Sequence, residues 1–416
     1  MLKVLERELT HTYYMLQRPV VLYNRKKNWP SKEPSGIKMV NEQVPIFGFT
    51  KNDVDITQNT ASVSNFIDFS KSKGNYVVDA DGNTMLDVAG TELNPLGYNH
   101  DLFKGAITGQ DFDKGAINSV GADHVAAADY SNLVKSAFGP VAPKGLNGIT
   151  LVSQQNATAA AVKAAMLERE ADGFSALYFE GSTHGSPLTL GGMICGWPKA
   201  SYPRSSSEES QILESVRNQV AEKRSSGGLV AAIVIEPTQQ STGYTASDEF
   251  MNGLRSIADD FEAALVVDET STGCGSTGTF WQSNVSADYV AFGKRTQATG
   301  YYSAKEGVSP GGNDNDVKLF NLIYQGIQQE RLLEKVSDLS SKMTHAAQNL
   351  KGFDGVRASG TSLWVDTADP AKLVAHMRSQ GVIVKQTPTG IVAKPALIMG
   401  EPQANELINA LNKFSA

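Results

Sequence analysis

Between residues 148 and 270, short β-branched or apolar runs alternate with longer stretches in which apolar residues recur every three or four positions. The runs GITLVS (148–153), ALYF (176–179), LVAAIVIEP (229–237) and AALVVDET (263–270) predict strands, and the stretches 157–171, 208–225 and 247–261 predict helices. Continuously apolar strands that alternate with helices build a mostly parallel sheet covered on both faces. Such sheets bind ligands beyond the carboxyl ends of their strands, so a site is expected in the loops after Ser153, Phe179, Ile235 and Val267.

Between 65 and 88, FIDFSKSKGNYVVDADGNTMLDV predicts two strands around Asp81-Gly82-Asn83, residue types that tolerate positive φ. Asp79, Asp81 and Asp87 fall at hairpin spacing and are expected to serve turns and solvated edges. Downstream, one long helix is predicted over about 315–350, beginning near Asp316, followed by an α+β segment from Gly355 to Ala416. The first 50 residues, rich in Pro, Lys and aromatics, predict an irregular arm after a short helix at about 3–17. The expected division is an arm over 1–50, the start of a small domain over 51–110, a large domain over 111–315, a linking helix over 316–350 and a C-terminal small domain over 351–416.

Charge adds an asymmetry to this picture. The net charge of the 416 residues is −7, yet residues 1–40 hold eight basic residues against three acidic ones, so this stretch carries +5 and the remainder −12. Such a basic arm suits docking on an acidic protein partner or a lipid surface. Glu6 and Glu8 argue against a cleavable mitochondrial presequence, which is poor in acidic residues. No apolar run approaches the ~20 residues of a membrane-spanning helix, and nothing in the charge pattern predicts direct nucleic-acid binding. Cys195 and Cys274 form no CxxC or Cys/His cluster, so no disulfide framework and no metal site is expected.

The string GNYVVDADGNTMLDVAGTELNPLGYNH (74–100) resembles the entry hairpin of class III pyridoxal-phosphate (PLP) aminotransferases, and of the mitochondrial 4-aminobutyrate transaminases in particular. Further strings follow in the same order: VAPKGLNGITLV (141–152), STHGSPLTLGG (182–192), AAIVIEPTQQSTGY (231–244), LVVDETSTGCGSTGTFW (265–281), VAFGKRTQATGYY (290–302) and KPALI (394–398). The resemblance runs from about residue 50 to the end. It implies the fold type I, aspartate aminotransferase-like α/β architecture, with a mostly parallel large-domain sheet and a smaller α+β C-terminal domain.

The resemblance also assigns positions. Asp268 stands where the family pairs a carboxylate with the protonated pyridine nitrogen. Aligning FGKRTQATG on the family's FSKKMMTGG-like motif puts Arg295 on the Schiff-base lysine and Lys294 on the preceding, non-catalytic one. A guanidinium has no free lone pair with which to attack an aldehyde. A one-residue shift in extended chain would turn Lys294 to the opposite face. Gln154 and Gln155 stand where the family has the Gly-Ser phosphate cradle, and the segment from Tyr302 to Leu319 lacks the second phosphate-binding loop, which belongs to the family's dimer interface. Thr183 replaces the ring-stacking aromatic before His184, whose ordinary role after a strand is that of a packed polar residue. Ser186 and Ser241 replace the arginine and glutamate that handle substrate, and of the C-terminal arginines only Lys394 keeps a charge.

The expectation is therefore a catalytically inactive aminotransferase-like protein with no bound cofactor, and with Asp268, His184, Gln154, Gln155, Ser186, Ser241 and Lys394 as vestiges. Its expected role is that of an accessory subunit of a larger mitochondrial assembly, a respiratory complex, an ATP synthase or a mitoribosome, docked through residues 1–45 on the matrix side. One alternative is an active 4-aminobutyrate-type transaminase that holds PLP on Lys294. Another is a regulatory partner of an active paralogue, as a homo- or heterodimer.

Overall fold

The computed structural model describes residues 67–79, 82–89, 93–103, 119–120, 128–152, 157–169, 174–184 and 197–414. The arm, Asp81, Gln154, Gln155, Ser186 and Cys195 lie outside them. Strands β1 (Tyr76–Val78) and β2 (Thr84–Asp87) pair antiparallel across Gly82, which sits at φ 83°, as the turn residues require. Asp79 and Asp87 correct the expectation of solvated edges, since both are buried. Asp79 accepts from the Asn83 amide and side chain, and Asp87 accepts from the Tyr98 hydroxyl.

The chain continues through β3 (Ser119–Val120), α1 (Ala128–Phe138), β4 (Gly148–Leu151), α2 (Ala157–Leu167), β5 (Phe174–Phe179), β6 (Lys199–Ala200), α3 (Ser206–Ser225), β7 (Leu229–Ile235), α4 (Asp248–Asp260), β8 (Ala264–Asp268), β9 (Tyr289–Phe292), β10 (Gly300–Ser303) and β11 (Gly307–Pro310). Eight of these strands form one sheet in the order β11-β4-β10-β9-β8-β7-β5-β6. Only β10 runs antiparallel to its neighbours. The central strands β7 and β8 are buried almost throughout, which is why they read as unbroken apolar runs rather than alternating ones. On α4, Ser247 caps the helix by accepting from the Phe250 amide, and Phe250, Leu254 and Ile257 face the sheet.

After β12 (Gly312–Asn313), the single helix expected over 315–350 is two helices, α5 (Asp314–Gln329) and α6 (Leu332–Asn349). The break falls at Arg331, whose left-handed backbone (φ 53°, ψ 44°) no helix continues through. Phe320, Ile323 and Ile327 of α5, with Leu332 and Val336 at the start of α6, belong to the core under the large sheet, and Leu339 and Met343 further along α6 belong to a second core. That second core lies against the sheet of β13 (Gly355–Ser359), β14 (Ser362–Asp366), β17 (Gly390–Ala393) and β16 (Lys385–Thr387), together with α7 (Pro370–Ser379), β15 (Val382–Ile383) and α8 (Glu401–Asn412). The segment between Tyr302 and Leu319 contributes β11 and β12.

Candidate functional site

The carboxyl ends of β5, β7 and β8 bring together three residues far apart in sequence: His184, Glu236 and Asp268. All are at most 2% exposed. Asp268 closes β8, and its Oδ2 accepts from His184 Nδ1 at 3.0 Å. Its Oδ1 accepts from the Thr270 amide at 3.0 Å and the Thr270 hydroxyl at 2.6 Å. Burial alone would raise this carboxyl, but the hydrogen bond and charge of His184, helped by Thr270, bring it down to about 2. Asp268 is therefore a carboxylate at any physiological pH.

His184 experiences the reciprocal effect. Burial opposes its charged form, yet the hydrogen bond to Asp268 and the charges of Asp268 and Glu236 raise its pKa above the usual imidazole value. Its backbone sits at φ 36°, unusual for a residue with a side chain. Glu236 directly follows β7. Burial raises its carboxyl above the ordinary range, with Asp268 adding and His184, Lys294 and Lys394 opposing. Its Oε1 accepts from the Thr183 hydroxyl at 3.2 Å. Thus Thr183, at the position of the family's stacking aromatic, acts as a hydrogen-bond donor.

The Lys294–Arg295 pair overturns one expectation. The segment Lys294–Thr296 is a 3₁₀ turn with Lys294 at φ 55°, not extended chain. Successive side chains in such a turn are about 120° apart rather than opposed, so a one-residue difference does not exclude Lys294 from the pocket. Its Nζ donates to Gln240 Oε1 at 2.7 Å and Ser271 Oγ at 2.6 Å. Gln240 Oε1 also accepts from Ser271 and lies 3.4 Å from the Thr183 hydroxyl, whose single proton serves either it or Glu236. Arg295 is 1% exposed and donates from a terminal nitrogen to the Ser271 carbonyl at 3.1 Å. Its charge acts on Cys274, a thiol that burial pushes up to about 12.

The remaining predicted residues are dispersed. Lys394 is buried with its ammonium 5.6 Å from the centre of the Trp364 ring, a cation–π contact, and it acts on Glu236 through its charge. Ser241 turns away to donate to the Gly181 carbonyl at 2.6 Å. Glu236, Gln240 and Ser271 escaped the sequence reading. A charged residue immediately after the apolar run LVAAIVI was the available signal for Glu236; nothing local marks Gln240 or Ser271.

Comparison with known proteins agrees with this geometry. The family model described as Aminotransferase class-III matches residues 57–414. A probable mitochondrial 4-aminobutyrate aminotransferase of Caenorhabditis elegans is 29% identical over 309 residues, covering 61% of this chain and 64% of that protein. The mitochondrial 4-aminobutyrate aminotransferase of Rattus norvegicus is 27% identical over 438 residues, covering 86% of each. Among solved structures, a lysine aminotransferase from M. tuberculosis superposes with a TM-score of 0.73 at 22% identity, over 85% of this chain and 95% of that one.

Proposed function

This chain belongs to the class III aminotransferase family, and we propose that it is a member in which the fold has been kept and transamination lost. The observation that carries the reading is Arg295: the residue aligned with the Schiff-base lysine is a buried guanidinium hydrogen-bonded to the Ser271 carbonyl, with no nucleophilic lone pair. A carboxylate offers about four acceptor positions, and three of those of Asp268 are taken by His184 Nδ1 and the two Thr270 donors, which leaves one for a pyridinium N–H. The residue that does not fit the cofactor is Arg295, which offers no free amine to its aldehyde, and no catalytic step is derived through it.

A fold retained without its chemistry serves through its surface. On this reading the chain is an accessory subunit of a larger assembly, such as a respiratory complex, an ATP synthase or a mitoribosome. Two of the relatives compared above are named mitochondrial, which supports that compartment. The basic stretch over 1–40 against an acidic remainder supports docking on an acidic protein partner through residues 1–45. The chemistry is tested by incubating the purified full chain with PLP, reducing with borohydride and mapping peptides by mass spectrometry. No lysine-linked cofactor is expected, and an adduct on Lys294 overturns the reading.

One observation favours a second reading. Lys294 Nζ, not Arg295, joins the polar network of Gln240 and Ser271. An active enzyme of 4-aminobutyrate-transaminase type would hold PLP there, and the same peptide map separates the two.

A further inference from the structure

A cavity of about 650 Å³ lies beside the end of β8, lined by Leu146, Phe280, Trp281, Val285, Ala287 and Glu269. Its volume and its apolar, aromatic walls are those of a small-molecule site. The Trp281 indole is fixed by its Nε1, which donates to the Val141 carbonyl at 2.5 Å, and the Phe280 and Trp281 rings meet edge to face with centroids 4.8 Å apart. Both side chains are half-buried. Glu269 is the exception among these walls. It is 1% exposed, and no basic group among the described residues forms an ion pair with it; it accepts from the Ser283 amide at 2.8 Å and from the Thr272 hydroxyl, both neutral donors. Asp268 beside it adds negative charge. The other charged residue of the lining, Lys144, is exposed, so water and salt screen it. The enclosure therefore holds a carboxyl without a counter-charge, in surroundings where a charge–charge interaction is strong.

We propose that this cavity binds a small organic amine as its cation, with an aromatic or alicyclic body against Phe280 and Trp281 and its ammonium toward Glu269. The carboxyl selects a cation over an anion, and the rings favour an ammonium further through cation–π attraction. The apolar walls select an organic body over a hydrated inorganic ion. Burial raises Glu269 to about 7, whereas an alkylammonium keeps its proton to about pH 10. The carboxyl is then about 3% ionised at pH 5.5 and about 90% ionised at pH 8, so amine affinity rises by up to about 30-fold between them. The cavity shares no lining residue with the polar network of Lys294, so the inference goes beyond the loss of transamination and does not depend on it.

The test titrates the full chain, without added PLP, with 2-phenylethylamine and with its neutral analogue 2-phenylethanol, by calorimetry at pH 5.5 and at pH 8. The amine is expected to bind about 10–30-fold more tightly than the alcohol at pH 8 and to lose most of that preference at pH 5.5. Glu269→Gln, isosteric and uncharged, is expected to bind amine and alcohol alike at both pH values. Ala287→Phe, which fills the cavity, is expected to bind neither. Glu269→Gln is decisive where Ala287→Phe disturbs folding, provided circular dichroism shows an unchanged fold. No amine binding by the native chain at millimolar concentration, no preference for the amine at pH 8, or a preference that Glu269→Gln retains overturns the proposal. The PLP peptide map reads Lys294 and this titration reads Glu269, so each reading fails separately.

Discussion

The two sides of the end of β8 carry adjacent buried carboxylates with opposite electrostatics. On one side Asp268 faces His184 and stays charged, its pKa near 2. On the other side Glu269 lines a cavity of about 650 Å³ walled by Phe280, Trp281 and Val285. Burial raises Glu269 to about 7, although the amides of Ser283 and Gln282 and the Thr272 hydroxyl donate to it. Equal burial thus yields a permanent anion or a group titrating near neutrality, according to whether a cation is in contact. Neutral donors compensate the loss of water only in part.

Breaking the ion pair should have the largest effect. His184→Ala leaves Asp268 buried without its cation, and a loss of about 3–5 kcal/mol is expected, read by urea unfolding at pH 7. A loss below 1 kcal/mol would mean that the Thr270 donors suffice and that the two sides do not differ as described.

The pH dependences should run in opposite directions. Asp268 has a depressed folded pKa, so its contribution is present above the unfolded value near 4 and is lost as pH falls toward 2. Glu269 has a raised folded pKa, so its contribution is present below the unfolded value of 4.5 and is lost as pH rises through about 7. Between pH 4.5 and 8 the native chain should lose about 3 kcal/mol relative to Glu269→Gln. Parallel stability curves for the two proteins would place the Glu269 pKa in the ordinary range.

The smallest effects distinguish the neutral donors. Thr272→Val removes one of the few groups that satisfy Glu269 and should cost about 1.5–3 kcal/mol. Thr270→Val leaves Asp268 the Thr270 amide and His184, so about 1 kcal/mol is expected. Chemical denaturation of the pair at pH 7 measures the difference, and the reverse order would assign Glu269 the better-satisfied environment.

Local pattern carried much of the fold. The runs at 229–235 and 264–268 announced buried parallel strands because both faces of those strands are covered, and Gly82 announced its turn through the φ it must adopt. The helix over 315–350 misled because the apolar spacing persists through Arg331, where the left-handed backbone ends one helix and starts the next. Asp268 and His184 were legible as strand-end residues. Glu236, Gln240 and Ser271 were not, because their partners lie in other segments.

What the sequence determined by itself was the family architecture and the presence of a guanidinium at position 295, facts carried by periodicity and residue identity. Which of Lys294 and Arg295 enters the polar network was decided by the 3₁₀ turn after β9, and Glu236's role by the adjacency of β7 and β8 in the sheet. The same holds for charge. Asp268 and Glu269 are chemically alike and adjacent, and only the placement of His184 from another strand end separates their pKa values, since the energy of a buried charge depends on what stands a few ångströms away in space.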